Sequence, residues 1–331
     1  MSRTLQFQDA GELTLESGDV LRGVRQAYHL DGALNDERTN LVVVLHALTG
    51  SADALGDWWS GLIGPGKALD TNRYAVLAPN LLGSCYGTTG PELGEGAFPA
   101  VTTRDQARLI GRLVDDLGVE RVALVTGGSL GGMVALEWNL CHPDRAARTV
   151  VLAAPAATPA SALGWHHIQR LAIQLGGVEG LALARMVGMM TFRTETEFER
   201  RFGRTPDSSG DLAMRGYLEH HGGKLVQRFS AESYLTLLGA MDTHDIGAGR
   251  GSLAAALSRL TGHVVGVGVP GDRLFSAGVV RDWTLTAGAT YRVIESIRGH
   301  DAFLLETDRV GQLLREALAV PVEELSPLAW P

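Results

Sequence analysis

The segment that most restricts the fold is "RVALVTGGSLGGMVALEWNLCHP", residues 121–143. An apolar run rich in β-branched residues leads into Gly127-Gly128-Ser129-Leu130-Gly131-Gly132, and a helical pattern follows until Pro143 stops it. A serine set between glycines where a buried strand turns into a helix matches G-x-S-x-G in its strand–turn–helix context. Side chains beside that serine would hold the two elements apart, so the glycines let the turn tighten and leave the hydroxyl projecting. A glycine-rich turn with a serine N-cap would spell the same five letters, and partners downstream have to separate the two readings.

The rest of the chain repeats the alternation. "NLVVVLHALTG" (40–50), "YAVLAPN" (74–80), "RTVVLAAPA" (148–156), "HVVGVGVPGD" (263–272) and "YRVIESIRGHD" (291–301) are strand-length runs ending in small or polar residues. Such runs suit parallel strands covered on both faces. Helical patterns lie between them at 102–118, with Thr102 or Thr103 as N-cap and Gly118 as C-cap, and at 130–143. The alternation predicts an α/β class with a mostly parallel, doubly wound sheet. Residues 5–30 alternate polar and apolar around "ESGD" and predict an antiparallel hairpin at the sheet edge. From 157 to 255 the strand signal gives way to helical periods. The expected organisation is a core made of residues 1–156 and 256–331, with a helical lid insertion at 157–255. "RVGQLLREALA" reads as a closing helix, and "PVEELSPLAWP" is expected to fray.

Composition removes several function classes. At 331 residues, 45% apolar and 20% charged, the chain has the make-up of a soluble globular protein with a large core. A net charge of −8 argues against nucleic acid as a partner, since phosphates call for a sustained basic face and "FERRFGR" is too short to be one. The N-terminus lacks the apolar stretch of a signal peptide, and runs such as "LVVVL" and "TVVLAA" are strand-length, so no membrane span is expected. Cys85 and Cys141 stand alone, which fits a reducing, cytoplasmic setting and no zinc framework. No metal motif appears. "GLIGPGKA" (61–68) fits G-x-x-x-x-G-K but carries Ala68 where a phosphate-binding loop needs Ser or Thr.

A serine hydroxyl is a poor nucleophile at neutral pH; it needs a base, and the base an orienting carboxylate. In the α/β-hydrolase order both follow the serine, each just beyond a strand. Asp272 after "HVVGVGVP" and His300 after "YRVIESIRG" meet that condition. The other histidines fit less well: His166, His167, His220 and His221 fall in the helical insertion, His263 begins a strand and His142 adjoins a helix stop. Backbone N–H groups of Leu130 and of Leu48, which follows His46-Ala47, are the candidate oxyanion donors, with His46 itself read as structural.

Several longer stretches now add to this reading. "HALTGSADALGDWWSGLIGPGKALDTNRYAVLAPNLLGSCYGTTGP", "GGSLGGMVALEW", "GLALARMVGMMTFR", "YLEHHGGKLVQRFSAESYLTLLGAMDTHDIGAGRG" and "GHDAFLLE" resemble the homoserine O-acetyltransferase family over roughly residues 5–320. The resemblance implies an α/β-hydrolase fold and ping-pong transfer of an acetyl group from acetyl-CoA, as co-substrate, to the hydroxyl of L-homoserine, with no permanently bound cofactor. It implies Ser129 as nucleophile, His300 as base and Asp272 as orienter. It also implies Arg185 in "LALAR" as ligand of the substrate carboxylate and Asp301 as ligand of its amine. A zwitterionic amino acid in a partly dry pocket requires such a pair. A homodimer through the helical lid is expected with it. Two departures stand out: "IQLGGVE" is shorter than is usual in the family, and Phe192 replaces a common tyrosine. Relatives that use succinyl-CoA or L-serine, and esterases or peptidases with the same triad, are the alternatives.

Overall fold

Runs with no polar alternation become strands buried on both faces. In a computed structural model, which describes residues 3–91 and 98–321, eight strands form one sheet. They are β1 (Gln6–Thr14), β2 (Val20–Asp31), β3 (Leu41–Leu45), β4 (Ala75–Pro79), β5 (Leu124–Gly128), β6 (Arg148–Leu152), β7 (His263–Gly268) and β8 (Thr290–Val293). Their order is β1-β2-β4-β3-β5-β6-β7-β8. The β1–β2 and β2–β4 joins are antiparallel, and every join from β4 to β8 is parallel. The edge hairpin and the parallel sheet are therefore where the sequence pattern puts them, except that β8, at the far edge, is not covered on both faces, and its Arg292 and Val293 are exposed.

Side chains alternate between two cores. Leu41, Val43 and Leu45 of β3 join one cluster with Ala107, Ile110 and Leu113. Val42 and Val44 join the other with Trp59, Val310 and Leu314. On the first face lie α1 (Thr103–Asp116), α2 (Leu130–Cys141) and, further along the chain, α8 (Ala277–Thr286); on the second lies α10 (Thr307–Ala319). Thr102 rather than Thr103 caps α1, reciprocally with Asp105, and Gly118 takes φ +67° just past the helix end. α8 has no strong helical signal, because Val, Trp and Thr are weak helix formers. The burial of Val280 and Trp283 against the sheet holds it.

Between β6 and β7 the regular elements are α3 (Ala160–Phe192), α4 (Glu195–Arg201), α5 (Ala213–Val226), α6 (Ala231–Asp242) and the short α7 (Leu253–Leu257). α9 (Ala302–Leu305) precedes α10. By length and composition alone α3 could cross a membrane. Gly177, at φ 53° and ψ −119°, breaks it, and the chain folds back so closely that a Cβ on Gly180 would lie 2.0 Å from the carbonyl oxygen of Ala172. Neither half reaches the ~20 residues of a span. Residues 322–331, which hold most of the tail expected to fray, and residues 92–97 lie outside the described residues.

Candidate active site

The turn after β5 places Ser129 at φ 56° and ψ −126°, outside the regions comfortable for a residue with a side chain. Its hydroxyl makes no cap hydrogen bond to α2, so the N-cap reading fails. The neighbours explain the glycines. A Cβ on Gly131 would sit 2.1 Å from the carbonyl oxygen of Leu45, and one on Gly128 would sit 2.2 Å from the ring of Phe303. The backbone of Ser129 is pinned from both sides, its N–H donating to Leu152 O and its carbonyl accepting from Met133 N, each at 3.0 Å.

Asp272 and His300 meet across the ends of β7 and β8. His300 Nδ1 and Asp272 Oδ2 are 2.7 Å apart, and Asp272 Oδ1 accepts from the backbone N–H groups of Leu274 (2.8 Å) and Phe275 (2.9 Å). The carboxylate is thus fixed before it fixes the imidazole. His300 Nε2 is buried with no hydrogen-bond partner, inside a wall formed by Phe192, Phe275 and Phe303. Burial alone would pull the imidazole pKa down. The charge of Asp272, its hydrogen bond and the charge of Asp301 outweigh that and hold His300 above its ordinary value.

Ser129 and His300 line one cavity of about 230 Å³, with Leu48, Arg185 and Asp301 also in its wall. That is below the ~300–1,000 Å³ of pockets for drug-sized ligands and suits a small substrate. Leu130 begins α2 directly after Ser129. The loop carrying Leu48 is braced by His46, whose Nε2 accepts from Leu81 N at 3.0 Å and whose Nδ1 lies 2.8 Å from Ala47 O. Burial pushes that imidazole down to about 4, so His46 stays neutral and serves as a brace. The decoy at 61–68 opens no helix, and the ammonium of Lys67 is taken up by Ser60 O.

Arg185 is half-buried, and burial lowers its pKa. Among the described residues it makes no ion pair or hydrogen bond and lies 5.6 Å from the ring centroid of Phe192. Asp301 precedes α9 without capping it; instead its Oδ2 lies 2.9 Å from Arg193 Nε. Arg193, Arg228, Asp57 and Trp58 were not singled out from the sequence, yet the last three line the cavity. Thr194-x-x-Glu197 was a visible signal, but as a capping pattern it points only to a helix start.

The family model for the alpha/beta hydrolase fold matches residues 40–232. A homoserine O-acetyltransferase of Thermobifida fusca is 42% identical over 346 residues, covering 93% of this chain and 91% of that protein. The crystal structure of homoserine O-acetyltransferase from Bacillus anthracis superposes with a TM-score of 0.87 at 26% identity, covering 99% of this chain and 100% of that one. The crystal structure of esterase E22 superposes as well, with a TM-score of 0.86 at 20% identity over 96% of this chain and 100% of that one, and at that identity the likeness is one of fold.

Proposed function

The chain belongs to the homoserine O-acetyltransferase family, and from that premise we propose that it moves the acetyl group of acetyl-CoA to the side-chain hydroxyl of L-homoserine by way of an acetyl-serine. The observation that carries the reading is the bare, buried Nε2 of an Asp272-oriented His300 in the same cavity wall as Ser129 and the unpaired cation of Arg185.

In the first half-reaction His300 takes the proton of Ser129, and Oγ attacks the thioester carbonyl. The N–H groups of Leu48 and Leu130 receive the oxyanion. The carbon–sulfur bond breaks, and the proton on His300 leaves with the thiolate as free CoA. In the second, homoserine binds with its carboxylate on Arg185 and its ammonium on Asp301. Its hydroxyl gives a proton to His300 and attacks the acetyl-serine carbonyl; the bond to Ser129 Oγ breaks, Oγ takes the proton back from His300, and O-acetyl-L-homoserine leaves. No resident metal or cofactor is needed. The helices between β6 and β7 act as the lid that keeps water from the acyl-enzyme.

A cytoplasmic setting and a homodimer belong to the same reading. The dimer is supported by exposed apolar residues on both halves of α3, Ile168, Leu171 and Leu175 before the break and Val178 and Leu183 after it, with Leu175 87% exposed. Sedimentation of wild type beside Leu175→Glu tests it. The function is tested by following free thiol with acetyl-CoA or succinyl-CoA against L-homoserine or L-serine. Absence of thiol release with every pair removes the transferase reading. Acetate release that homoserine does not alter favours the esterase alternative.

A further inference from the structure

The acceptor site just described needs Arg185 and Asp301 side by side yet not joined to each other. The charge of Asp301 is the leading charge acting on Arg185, so the two carry a standing attraction. If they paired, the places for the substrate carboxylate and ammonium would close together. Something must hold Asp301 back.

The structure contains such a restraint. Arg193 is buried, with Nε 2.9 Å from Asp301 Oδ2, and its Nη1 donates to both carboxylate oxygens of Glu197 at 3.0 and 3.2 Å. Glu197 is also buried and accepts from Arg298 Nη1 at 2.8 Å. Charges therefore alternate from Arg298 through Glu197 and Arg193 to Asp301 and the cavity. The backbone ties the same parts: Thr194 Oγ1 accepts from Glu197 N at 3.1 Å and donates to Ile297 O. Gly299, at φ +63°, lets the loop lie so close that an added Cβ would be 3.0 Å from Phe192 O. Burying an arginine and a glutamate at a contact that apolar side chains could fill is costly, so the pair calls for a reason beyond packing.

We propose that Arg193, clamped by Glu197, is the positioning residue of the acceptor site: its ion-pair contact with one oxygen of Asp301 keeps that carboxylate off Arg185 and so leaves Asp301 and Arg185 as separate, oppositely charged partners for an amino-acid zwitterion. The inference rests on the transferase reading, and its test keeps the two apart. Wild-type enzyme with acetyl-CoA and no acceptor gives a burst of CoA that reports the first half-reaction alone. Absence of that burst with any acyl-CoA, together with no turnover, overturns the reading and the inference with it.

Given the burst, Arg193→Met and Glu197→Gln leave its rate within about twofold, since the donor does not use the ammonium site. The same variants lower kcat/KM for L-homoserine roughly tenfold to a hundredfold, mainly through KM, the scale of one charge-assisted contact. 4-Hydroxybutyrate has the hydroxyl and carboxylate but no ammonium; its slow transfer falls as well, because Asp301 takes up Arg185, and Asp301→Asn added to either variant returns it. Arg193→Lys restores part of the homoserine rate, and it decides the matter if Arg193→Met or Glu197→Gln fails to fold. A lost burst, 4-hydroxybutyrate transfer that is unchanged in the single variants or not returned by Asp301→Asn, or undiminished homoserine kinetics in folded variants overturns the inference.

Discussion

Replacing Gly131 by alanine puts the tightness of the Ser129 turn to the test. The new Cβ would lie 2.1 Å from the carbonyl oxygen of Leu45 and 3.0 Å from that of His46. Both are backbone atoms, so no change of rotamer relieves the overlap. The start of α2 and the end of β3 must part by roughly 1 Å to regain an ordinary contact. One of these bodies carries Ser129 and Leu130, the other leads to Leu48, so the whole displacement falls between the proposed nucleophile and an oxyanion donor. Overpacking of this kind costs about 1–3 kcal/mol of stability. A shift of that size between reacting groups costs on the order of a hundredfold in rate. CoA release kinetics, read beside thermal unfolding, measure both. Gly164→Ala in α3 is the control: its Cβ meets nothing within 4 Å. That variant gains about 0.5–1 kcal/mol of stability and keeps its kinetics. Wild-type kcat/KM in Gly131→Ala, or a loss that disappears once the folded fraction is allowed for, refutes the reasoning.

Only neutral His300 can accept the serine proton, and its pKa is raised, so activity climbs with pH through a value above the ordinary ~6.5 of imidazole. Asp272→Asn removes the charge that raises it. The acid limb of kcat/KM then moves to lower pH while kcat falls by about 10³–10⁴, and a limb that stays in place contradicts the assignment. Arg185→Met raises KM for homoserine roughly tenfold to a hundredfold and leaves the CoA burst intact, as stopped-flow thiol detection shows. Glu137 is buried between Arg250 (2.7 Å) and Arg104 (3.2 Å). Burial would raise its pKa, but the two arginines outweigh burial and lower it. Its contribution to stability is present above the unfolded carboxylate pKa and is lost as pH falls through the lower folded value. Glu137→Gln leaves Arg250 without a carboxylate and Arg104 with Glu16 alone, costs about 3–5 kcal/mol in denaturant titration, and flattens that part of the acid limb.

What could be read in the letters is what chain topology dictates. A parallel strand ends in a loop on the same side of the sheet as its neighbours' loops, so residues just past β3, β5, β7 and β8 converge however far apart they lie in sequence. Leu48, Ser129, Asp272 and His300 could be picked out on that ground. Arg193 and Glu197 could not, since their meaning depends on which carboxylate a helix-end arginine meets after the lid folds back. Two adjacent glycines, Gly176-Gly177, are compatible with a helix break, but nothing in the letters says that the halves of α3 close to backbone contact at Gly180. α8 was missed for the opposite reason, because its helix is imposed by packing against local preference.

A serine, histidine and aspartate in triad order do not by themselves choose between water and an alcohol as acceptor. The choice is made by what else the cavity holds. Arg185 stands among Leu48, Phe192 and Phe303 with no anion paired to it among the described residues. A half-buried cation with no anion paired to it is unfavourable, and a simple acetate ester has no carboxylate to relieve it. A ligand bearing both charges relieves Arg185 and Asp301 together, and its hydroxyl is held beside the acyl-serine at an effective concentration that water, bound by neither charge, does not match. By this argument specificity for transfer resides in the charge pair rather than in the triad. Neutralising either charge should therefore raise the share of acetyl groups lost to water even where the rate of CoA release is unchanged.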